Sequence, residues 1–170
     1  MKSLLSQISD TALKLKDIEF TISQVDNQWL GNEPSSESGI SEVEKRLNVE
    51  FPSDYKDFLL ISNGFAAPND VEPTFLPIER VDYLKNIDNE LIEIWTRDGI
   101  SETGEELKRS ILIGGIDEEQ YFLIIPPDSK NQKWRYWKFA SWIPGEEEYK
   151  SLYNYFEDVS DFLNQQMVTN

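Results

Sequence analysis

GISEVEKRLNVEFPSDYKDFLLISNGF, residues 39–65, contains two helical apolar periods that flank a Phe-Pro dipeptide and end near Asn-Gly. The first period has the i, i+3, i+7 spacing of one helical face and consists of Ile40, Val43 and Leu47. Ser41 stands three residues before a Glu, which is capping-box spacing, but a helix that began there would leave Ile40 outside its apolar face. We therefore expect this helix to begin near Ser36 and to end at Asn48, since Asn tolerates the left-handed conformation of a helix terminus.

The Phe51-Pro52 dipeptide separates this helix from a second one. Because Pro52 disfavours a helical residue before it, we expect Phe51 to be extended. Pro52 itself suits the first turn of the next helix, where a missing N–H costs no hydrogen bond. The second apolar face is predicted to carry Tyr55, Phe58, Leu59 and Ser62, with Ile61 at its edge. Asn63-Gly64 ends this helix, since glycine accepts a positive φ, and the stretch predicts two helices whose apolar faces meet in one core.

The order of these signals resembles the SUKH superfamily, which includes fungal cell-wall-assembly regulators and many bacterial immunity proteins that neutralise toxins. The residues that fit the family pattern are Glu44, Phe51-Pro52, Tyr55, Phe58-Leu59 and Asn63-Gly64, with Phe51 in place of the usual Leu. Trp29 and Gly31 fit the pattern before the first helix. Weaker matches are residues 74–78, 111–115, 121–124 and 159–163. The resemblance covers about Trp29 to Leu163.

The pattern of elements along the chain predicts an α+β fold, in which helices flank a small, mostly antiparallel sheet, and an extra helix is predicted at the N-terminus, outside the resemblance. Residues 1–170 would form a single SUKH-like domain whose core spans about residues 29–163. Residues 1–28 would be an N-terminal helical extension, since residues 2–16 carry apolar side chains at helical spacing. After that helix, a short strand or extended segment is suggested by Phe20, Ile22 and Val25.

The middle of the chain mixes extended and helical signals. Residues 74–79, TFLPIE, predict a strand that Pro77 makes short, bulged or located at an edge. The residues from Val81 to Trp95 follow one helical period. Residues 101–110, SETGEELKRS, indicate a charged connection with room for one helical turn.

The second half of the chain predicts strands followed by a helix. Ile111–Ile113 and Tyr121–Ile125 are apolar runs joined by a link of hairpin length. Residues 133–139, KWRYWKF, alternate as a strand with aromatic residues on both faces, so we expect one face in the core and the other covered or used for binding. Glu146–Glu148 then precede a last helix, whose positive dipole end they suit. The apolar stripe of that helix is predicted to be Tyr149, Leu152, Tyr153, Phe156, Val159 and Leu163.

Composition excludes several functional classes. The 170 residues include no Cys and no His, which removes disulfides, thiolate sites, and the commonest general base and transition-metal ligand. Thirty-two acids against sixteen bases give a net charge of −16, which disfavours nucleic acids and anionic membranes and favours a basic protein partner. No apolar run reaches the length of a membrane span and the N-terminus is too polar for a signal peptide, so we expect a cytoplasmic protein.

The many acids raise the question of catalysis or metal binding. Paired carboxylates serve glycosidases, but acids are so frequent here that chance pairs carry no information, and we expect no enzyme. Asp117–Glu119 offers oxygen ligands for a divalent cation but lacks the alternating spacing and central glycine of a calcium loop. A solvated hairpin tip explains this run better, and we expect neither a metal nor a cofactor.

The resemblance implies a non-catalytic protein-binding module, and we expect an immunity protein that occludes the active site of a cognate bacterial toxin. The expected partner is a basic toxin domain, for example a nuclease. Charge clustering, not the family, selects the predicted partner-binding residues Asp117, Glu118, Glu119, Glu146, Glu147 and Glu148, with Trp142 beside Pro144-Gly145 as an apolar anchor. Two alternatives stay open: a housekeeping regulator of the cell-wall-regulator type, and an acidic surface that serves solubility alone.

Overall fold

A computed structural model of the chain describes residues 1–97, 101–129, 132–142 and 145–169. Its α-helices are α1 (Lys2–Leu15), α2 (Ile22–Asn27), α3 (Glu37–Leu47), α4 (Ser53–Leu59), α5 (Leu84–Ile87), α6 (Asn89–Arg97), α7 (Ser101–Arg109) and α8 (Leu152–Thr169). Its strands are β1 (Asp82–Tyr83), β2 (Ile111–Gly114), β3 (Gln120–Ile125), β4 (Arg135–Ala140) and β5 (Glu146–Tyr149), and a 3₁₀-helix spans Ile78–Arg80. Helices flank an antiparallel sheet, which confirms the predicted α+β fold and its N-terminal helix.

The predicted helix–corner–helix is present as α3 and α4. Ser36 caps α3, because its hydroxyl accepts a hydrogen bond of 3.1 Å from the N–H of Gly39. Asn48 ends α3 with a φ of 52°, the left-handed conformation expected there. Between the two helices, the Glu44 carboxylate accepts a hydrogen bond of 2.8 Å from the N–H of Phe51. This bond holds the corner in place and gives the acid of the first helix a structural role.

The segment that follows α4 leads the chain into an aromatic core. Gly64 has a φ of +95°, and a Cβ there would lie 2.8 Å from the carbonyl oxygen of Phe75. Only glycine fits both conditions, as the Asn-Gly signal predicted. The Phe58 ring centre lies 5.5 Å from that of Phe75 and 5.6 Å from that of Phe156, so these rings join α4 to α8.

The sheet has the strand order β1-β2-β3-β4-β5, and each neighbouring pair is antiparallel. The predicted hairpin is confirmed as β2 and β3, and the predicted aromatic strand is confirmed as β4. Gln120 at the start of β3 lies opposite Ala140 at the end of β4, and Phe139 lies opposite Glu146 at the start of β5. The turn between β2 and β3 therefore lies at the same end of the sheet as the connection between β4 and β5.

One cluster of buried apolar side chains runs through the sheet and the helices. Helix α1 contributes Leu5, Ile8 and Ala12 to this cluster and packs against α8. Both faces of β4 are covered, since Tyr136 and Trp137 point to opposite faces and are only 4% and 2% exposed. A charged side chain in β4 is therefore costly unless a counter-charge is buried with it.

The segment predicted as extended after α1 is helical instead. Thr21 and Gln24 form a capping box, in which Thr21 Oγ1 accepts from the Gln24 N–H and Gln24 Oε1 accepts from the Thr21 N–H. This local cap outweighs the extended tendency of Ile22 and Val25, which both remain exposed on α2.

The helix predicted from Val81 to Trp95 begins only at Leu84, because Asp82–Tyr83 form strand β1, and it is divided in two. Asp88 interrupts it, because its carboxylate accepts a hydrogen bond of 3.0 Å from the N–H of Leu91 and begins α6 there. The stretch predicted as a charged connection is helix α7, which packs against α6 and buries Leu107. The sequence did not predict this helix because most of its residues are charged and only a few of them make apolar contacts.

The strand predicted at residues 74–79 is reduced to pairing at a single residue. Phe75 bridges Phe65 on one side and Gly114 on the other. A 3₁₀-helix begins at Ile78, directly after Pro77, so the extended segment is too short to form a regular strand.

The last helix begins later than predicted. Glu146–Glu148 do not lead into it but form the edge strand β5, and Tyr149 ends that strand. Counted from Leu152, the helical period buries Tyr155 rather than Tyr153, which is exposed. The error arose because three acids before an apolar period look the same whether they precede a helix or line a sheet edge.

Candidate functional site

The predicted acids of the β2–β3 turn and Trp142 lie at the same end of the sheet. Asp117–Glu119 form that turn, and Trp142 lies on the connection from β4 to β5. Glu146 begins β5 at this end, whereas Glu148 lies further along the strand. The structure therefore brings the turn, Trp142 and Glu146 to one end of the sheet and places Glu148 away from it.

The β2–β3 turn forms one wall of an acidic cleft with a volume of about 550 Å³. Residues 67–73, a loop that follows α4, form the other wall. The polar side chains that line the cleft are Asn69, Asp70, Glu72, Asp117, Glu118, Glu119 and Gln120. The sequence selected the turn as a candidate binding site but did not select the loop, because only the folded chain brings these two segments together.

Hydrogen bonds tie the two walls of the cleft to each other. Glu118 Oε2 accepts a bond of 2.8 Å from the N–H of Thr74. Gln120 Nε2 donates a bond of 3.2 Å to the carbonyl oxygen of Val71, and the Gly115 N–H donates one of 2.9 Å to the carbonyl oxygen of Thr74. The cleft is therefore fixed before any ligand arrives.

A buried ion pair supports the loop from below. Lys138 Nζ on β4 lies 2.8 Å from Glu72 Oε1, and both side chains are nearly inaccessible to solvent. The hydroxyl of Tyr155 on α8 donates a hydrogen bond of 2.8 Å to Glu72 Oε2. Burial, followed by the negative charge of Glu72, raises the pKa of Tyr155 well above its usual range. Glu72 is thus neutralised by Lys138 and serves as an anchor for the loop.

Sequence reasoning did not select Glu72, Lys138 or Tyr155. The available signal was Lys138, a charged residue that lies between Trp137 and Phe139 in a strand with aromatic residues on both faces. Such a charge requires a buried counter-charge. Its partner Glu72 lies 66 positions away in the sequence, so no local pattern identifies it.

The rim of the cleft carries acids without a counter-charge. Asp70, Asp117 and Glu119 are exposed, and within the described ranges none of the three has a hydrogen-bond or ion-pair partner. Burial, the hydrogen bond to Asp88 and then the charges of Asp88 and Asp117 raise the pKa of Tyr121, at the start of β3, to about 12. The cleft therefore has a neutral floor and a negative rim, which suits a cationic ligand.

The acids of β5 differ from one another in their contacts. Glu148 accepts hydrogen bonds from Arg135 Nε at 2.9 Å, from Arg135 Nη2 at 2.6 Å and from Trp137 Nε1 at 3.1 Å. The bonds from Arg135 lower the pKa of Glu148, although partial burial opposes them. Glu147 is exposed and Glu146 is half-buried. Glu148 is consequently engaged within the chain, and the binding role of all three residues stays a prediction.

Trp142 has the exposure expected of an apolar anchor. Its side chain is 49% exposed, whereas Trp95 and Trp137 are buried in the core and Trp29 and Trp134 are half-buried. Pro144, which the sequence places close to it, lies outside the described residues. The exposed ring gives an apolar surface at the end of the sheet that carries the β2–β3 turn.

The described ranges lack two further features. Among these residues, no helix combines the length and the apolar character needed to cross a bilayer. Within the same residues, no three acidic side chains are grouped so as to hold a metal ion.

Two comparisons relate the chain to known proteins. A sequence model of the SMI1 / KNR4 family (SUKH-1) matches residues 34–165. Over 40 residues the chain is 45% identical to the uncharacterized protein YnaB of Bacillus subtilis (strain 168). That alignment covers 24% of this chain and 28% of YnaB, so it spans under a third of the relative's length.

Proposed function

Because the chain belongs to the SMI1 / KNR4 family (SUKH-1), we propose that it is a non-catalytic protein-binding module. Membership confirms the resemblance carried by Phe51-Pro52 and Asn63-Gly64. Within this role we propose an immunity protein, which binds a cognate bacterial toxin in the cytoplasm and neutralises it.

The observation that carries this proposal is the acidic cleft between loop 67–73 and the β2–β3 turn. Charges that serve solubility alone are spread over a surface and need no fixed geometry. Here the uncompensated acids surround a concave site whose walls are joined by hydrogen bonds to Thr74 and Val71. A fixed, concave and negative site is a feature of recognition.

The proposed mechanism is occlusion of the active site or substrate path of a basic toxin domain. A nuclease has a basic groove for phosphates, and carboxylates placed at those positions neutralise it while they block access. The residues proposed to contact the partner are Asp117, Glu118, Glu119, Glu146, Glu147 and Glu148, with Trp142 as the apolar anchor. Those on the cleft side are better placed than Glu148, whose charge Arg135 already compensates.

We also propose that residues 1–170 form a single SUKH-like domain, with a core over about residues 29–163 and a helical extension over residues 1–28. Helix α1 supports this arrangement because it packs against α8 and places Leu5 and Ile8 in the shared apolar cluster. The extension therefore contributes side chains to the buried apolar cluster.

Co-expression tests the immunity role. That role predicts that a toxin gene lies beside the gene for this protein, and that the toxic domain stops growth of a host unless this protein is produced with it. A matched control replaces this protein with its Asp117→Asn/Glu119→Gln variant, for which weaker protection is expected. Growth that stays blocked in the presence of the wild-type protein contradicts the immunity role.

The alternative, a housekeeping regulator of the cell-wall-regulator type, gives a different result in the same cells. Deletion of the gene would then disturb growth or the cell wall even where no toxin is made. A deletion strain that grows normally without toxin, together with protection by co-expression, excludes this alternative.

A further inference from the structure

Asn69 lies in the wall of the acidic cleft and is only 2% exposed. Its Oδ1 accepts hydrogen bonds from the N–H of Val71 at 3.1 Å and from the N–H of Glu72 at 2.8 Å. Because both partners are donors, they identify the oxygen end of the amide. In the described part of the chain, Asn69 Nδ2 has no hydrogen-bond partner. One end of this amide therefore shapes the loop, and the other end is a buried donor without a partner, on a residue that lines the cleft.

A buried donor without a partner lacks the hydration it had in the unfolded chain, which makes it an unusual feature to retain. The acceptor that would satisfy it cannot belong to an anion, because Asp70, Asp117 and Glu119 surround the cleft and repel one. A suitable ligand therefore carries a neutral acceptor and a positive charge close together. A main-chain carbonyl next to an Arg or Lys side chain has both groups.

We propose that the cleft binds an extended basic segment of the protein partner. The Arg or Lys side chain of that segment lies against the carboxylates of Asp117 and Glu119, and an adjacent main-chain carbonyl accepts a hydrogen bond from Asn69 Nδ2. This inference rests on the proposed function as a protein-binding module and adds the chemistry of the partner.

The dimensions and the surface of the cleft fit such a segment. Its volume of about 550 Å³ is within the range of sites that enclose small ligands, so it accommodates a few residues rather than a folded surface. Val71 lines the cleft and is 45% exposed, which offers an apolar contact to the aliphatic stem of Arg or Lys. Lys138, which holds the loop from β4, is already paired with Glu72 and does not compete for the rim acids.

The fixed geometry of the cleft favours binding. Glu118 is hydrogen-bonded to Thr74 and Gln120 is hydrogen-bonded to Val71. The Lys138–Glu72 ion pair connects the loop to the sheet. A site that is already ordered loses little conformational entropy when a flexible segment binds. The rim acids and Asn69 are therefore held in place before contact rather than assembled by it.

Nuclear magnetic resonance on the full ¹⁵N-labelled chain tests the proposal. The probe is the peptide acetyl-Gly-Arg-Gly-Arg-Gly-amide at low salt, and the matched control peptide carries citrulline, which is neutral and nearly isosteric, in place of each Arg. The side-chain amide signals of Asn69 should shift and saturate with the Arg peptide, while those of Asn86 and Asn154, which lie outside the cleft, should not. The citrulline peptide should bind about tenfold more weakly or not at all.

Two variants separate the donor from the charge. Asp117→Asn/Glu119→Gln should weaken binding of the Arg peptide roughly three- to tenfold, and Asp10→Asn/Glu42→Gln, the same charge change at exposed sites on α1 and α3, should leave it within about twofold. Asn69→Asp keeps the oxygen that accepts from Val71 and Glu72 but removes the donor and adds negative charge. We expect this variant to bind the cationic peptide more weakly, although charge alone predicts tighter binding.

The outcomes are distinct even where a variant folds poorly. If the Asn69 amide signals of the wild-type chain do not respond to saturating peptide, a bound water satisfies the donor and the proposal is overturned. Equal binding by the cleft variant and by the α1/α3 control variant also overturns it. If the peptide binds as expected but the protein neutralises no toxin, the immunity role fails and the cleft proposal stands. If a toxin is neutralised equally well by the cleft variant, the immunity role stands and the cleft proposal is overturned.

Discussion

Lys138 and Glu72 form an ion pair, with 2.8 Å between Nζ and Oε1, although they lie 66 positions apart in the sequence and each side chain is only 9% exposed. Lys138 belongs to β4 and Glu72 belongs to the loop that forms one wall of the acidic cleft. Tyr155 of α8 donates a further hydrogen bond to the same carboxylate. The pair therefore connects the core to the cleft and makes its floor neutral, while its rim stays negative.

Replacement of Lys138 tests this connection. Lys138→Met should lower the free energy of unfolding by about 3–5 kcal/mol, because it leaves the Glu72 carboxylate buried without a counter-charge. The double variant Lys138→Met/Glu72→Gln should recover a large part of that loss. Urea denaturation of the three proteins measures both effects. A loss below about 1 kcal/mol in the single variant would show that the pair is not buried in solution.

Alkaline pH should destabilise the protein through its tyrosines. Burial is the main cause that raises the pKa values of Tyr55, Tyr121, Tyr136, Tyr149 and Tyr155. In the unfolded chain these groups lose their protons near pH 10, whereas the folded chain retains them. Stability from this source is therefore intact below about pH 10 and falls above it, by about 1.4 kcal/mol per pH unit for each fully buried tyrosine.

Denaturation at about pH 8, 9.5 and 11, followed together with phenolate absorbance, measures this effect. The phenolate signal of the buried tyrosines should appear only as the protein unfolds. Ionisation of every tyrosine near pH 10 in a chain that stays folded would contradict the burial of Tyr55 and Tyr155.

The contribution of Glu148 to the stability of the fold should depend on pH. Because its hydrogen bonds to Arg135 lower its pKa in the folded state, the contribution is present above the unfolded pKa of about 4.3 and is lost as the pH falls through the folded value. The side chain is 46% exposed, so Glu148→Gln should cost only about 0.5–1 kcal/mol near neutral pH. The difference from wild type should disappear in strong acid, and Glu42→Gln, at an exposed position on α3, is the matched control.

The corner between α3 and α4 should depend on Glu44. Glu44→Ala removes the acceptor of the Phe51 N–H and should cost about 1–2 kcal/mol, whereas Glu44→Gln keeps an amide oxygen there and should cost less. Glu42→Ala on the exposed side of the same helix is the matched control and should change stability by less than about 0.5 kcal/mol. Equal losses for the two alanine variants, measured by thermal or urea unfolding, would contradict the role of Glu44.

The features that sequence predicted correctly depend on neighbours along the chain. Ser36, Asn48 and Gly64 mark helix boundaries because capping and positive φ are properties of a few consecutive residues. Strands β2 to β4 were recognisable because they are apolar or alternating runs bounded by turns. The resemblance to the family rested on such local signals as well.

The features that sequence missed depend on contacts between distant residues. Glu146–Glu148 form an edge strand because they pair with the otherwise unpaired edge of β4. The three acids alone do not predict this pairing. In the site, Asp117–Glu119 were visible as a charged turn, but Asn69 and Glu72 became relevant only when the loop folded against that turn. A buried ion pair and an unpaired buried donor have no signature in a single stretch of sequence.

Affinity capture tests the protein-binding role most directly. The tagged wild-type chain and its Asp117→Asn/Glu119→Gln variant serve as paired baits in one lysate of the cells that make the protein, at about 0.02 M and about 0.15 M salt. We predict that the wild-type chain retains a basic toxin domain at roughly one-to-one stoichiometry, that salt weakens this complex, and that the variant retains less of it. A housekeeping protein held equally by both baits, or no stoichiometric partner in cells that make the toxin, would contradict the proposed function.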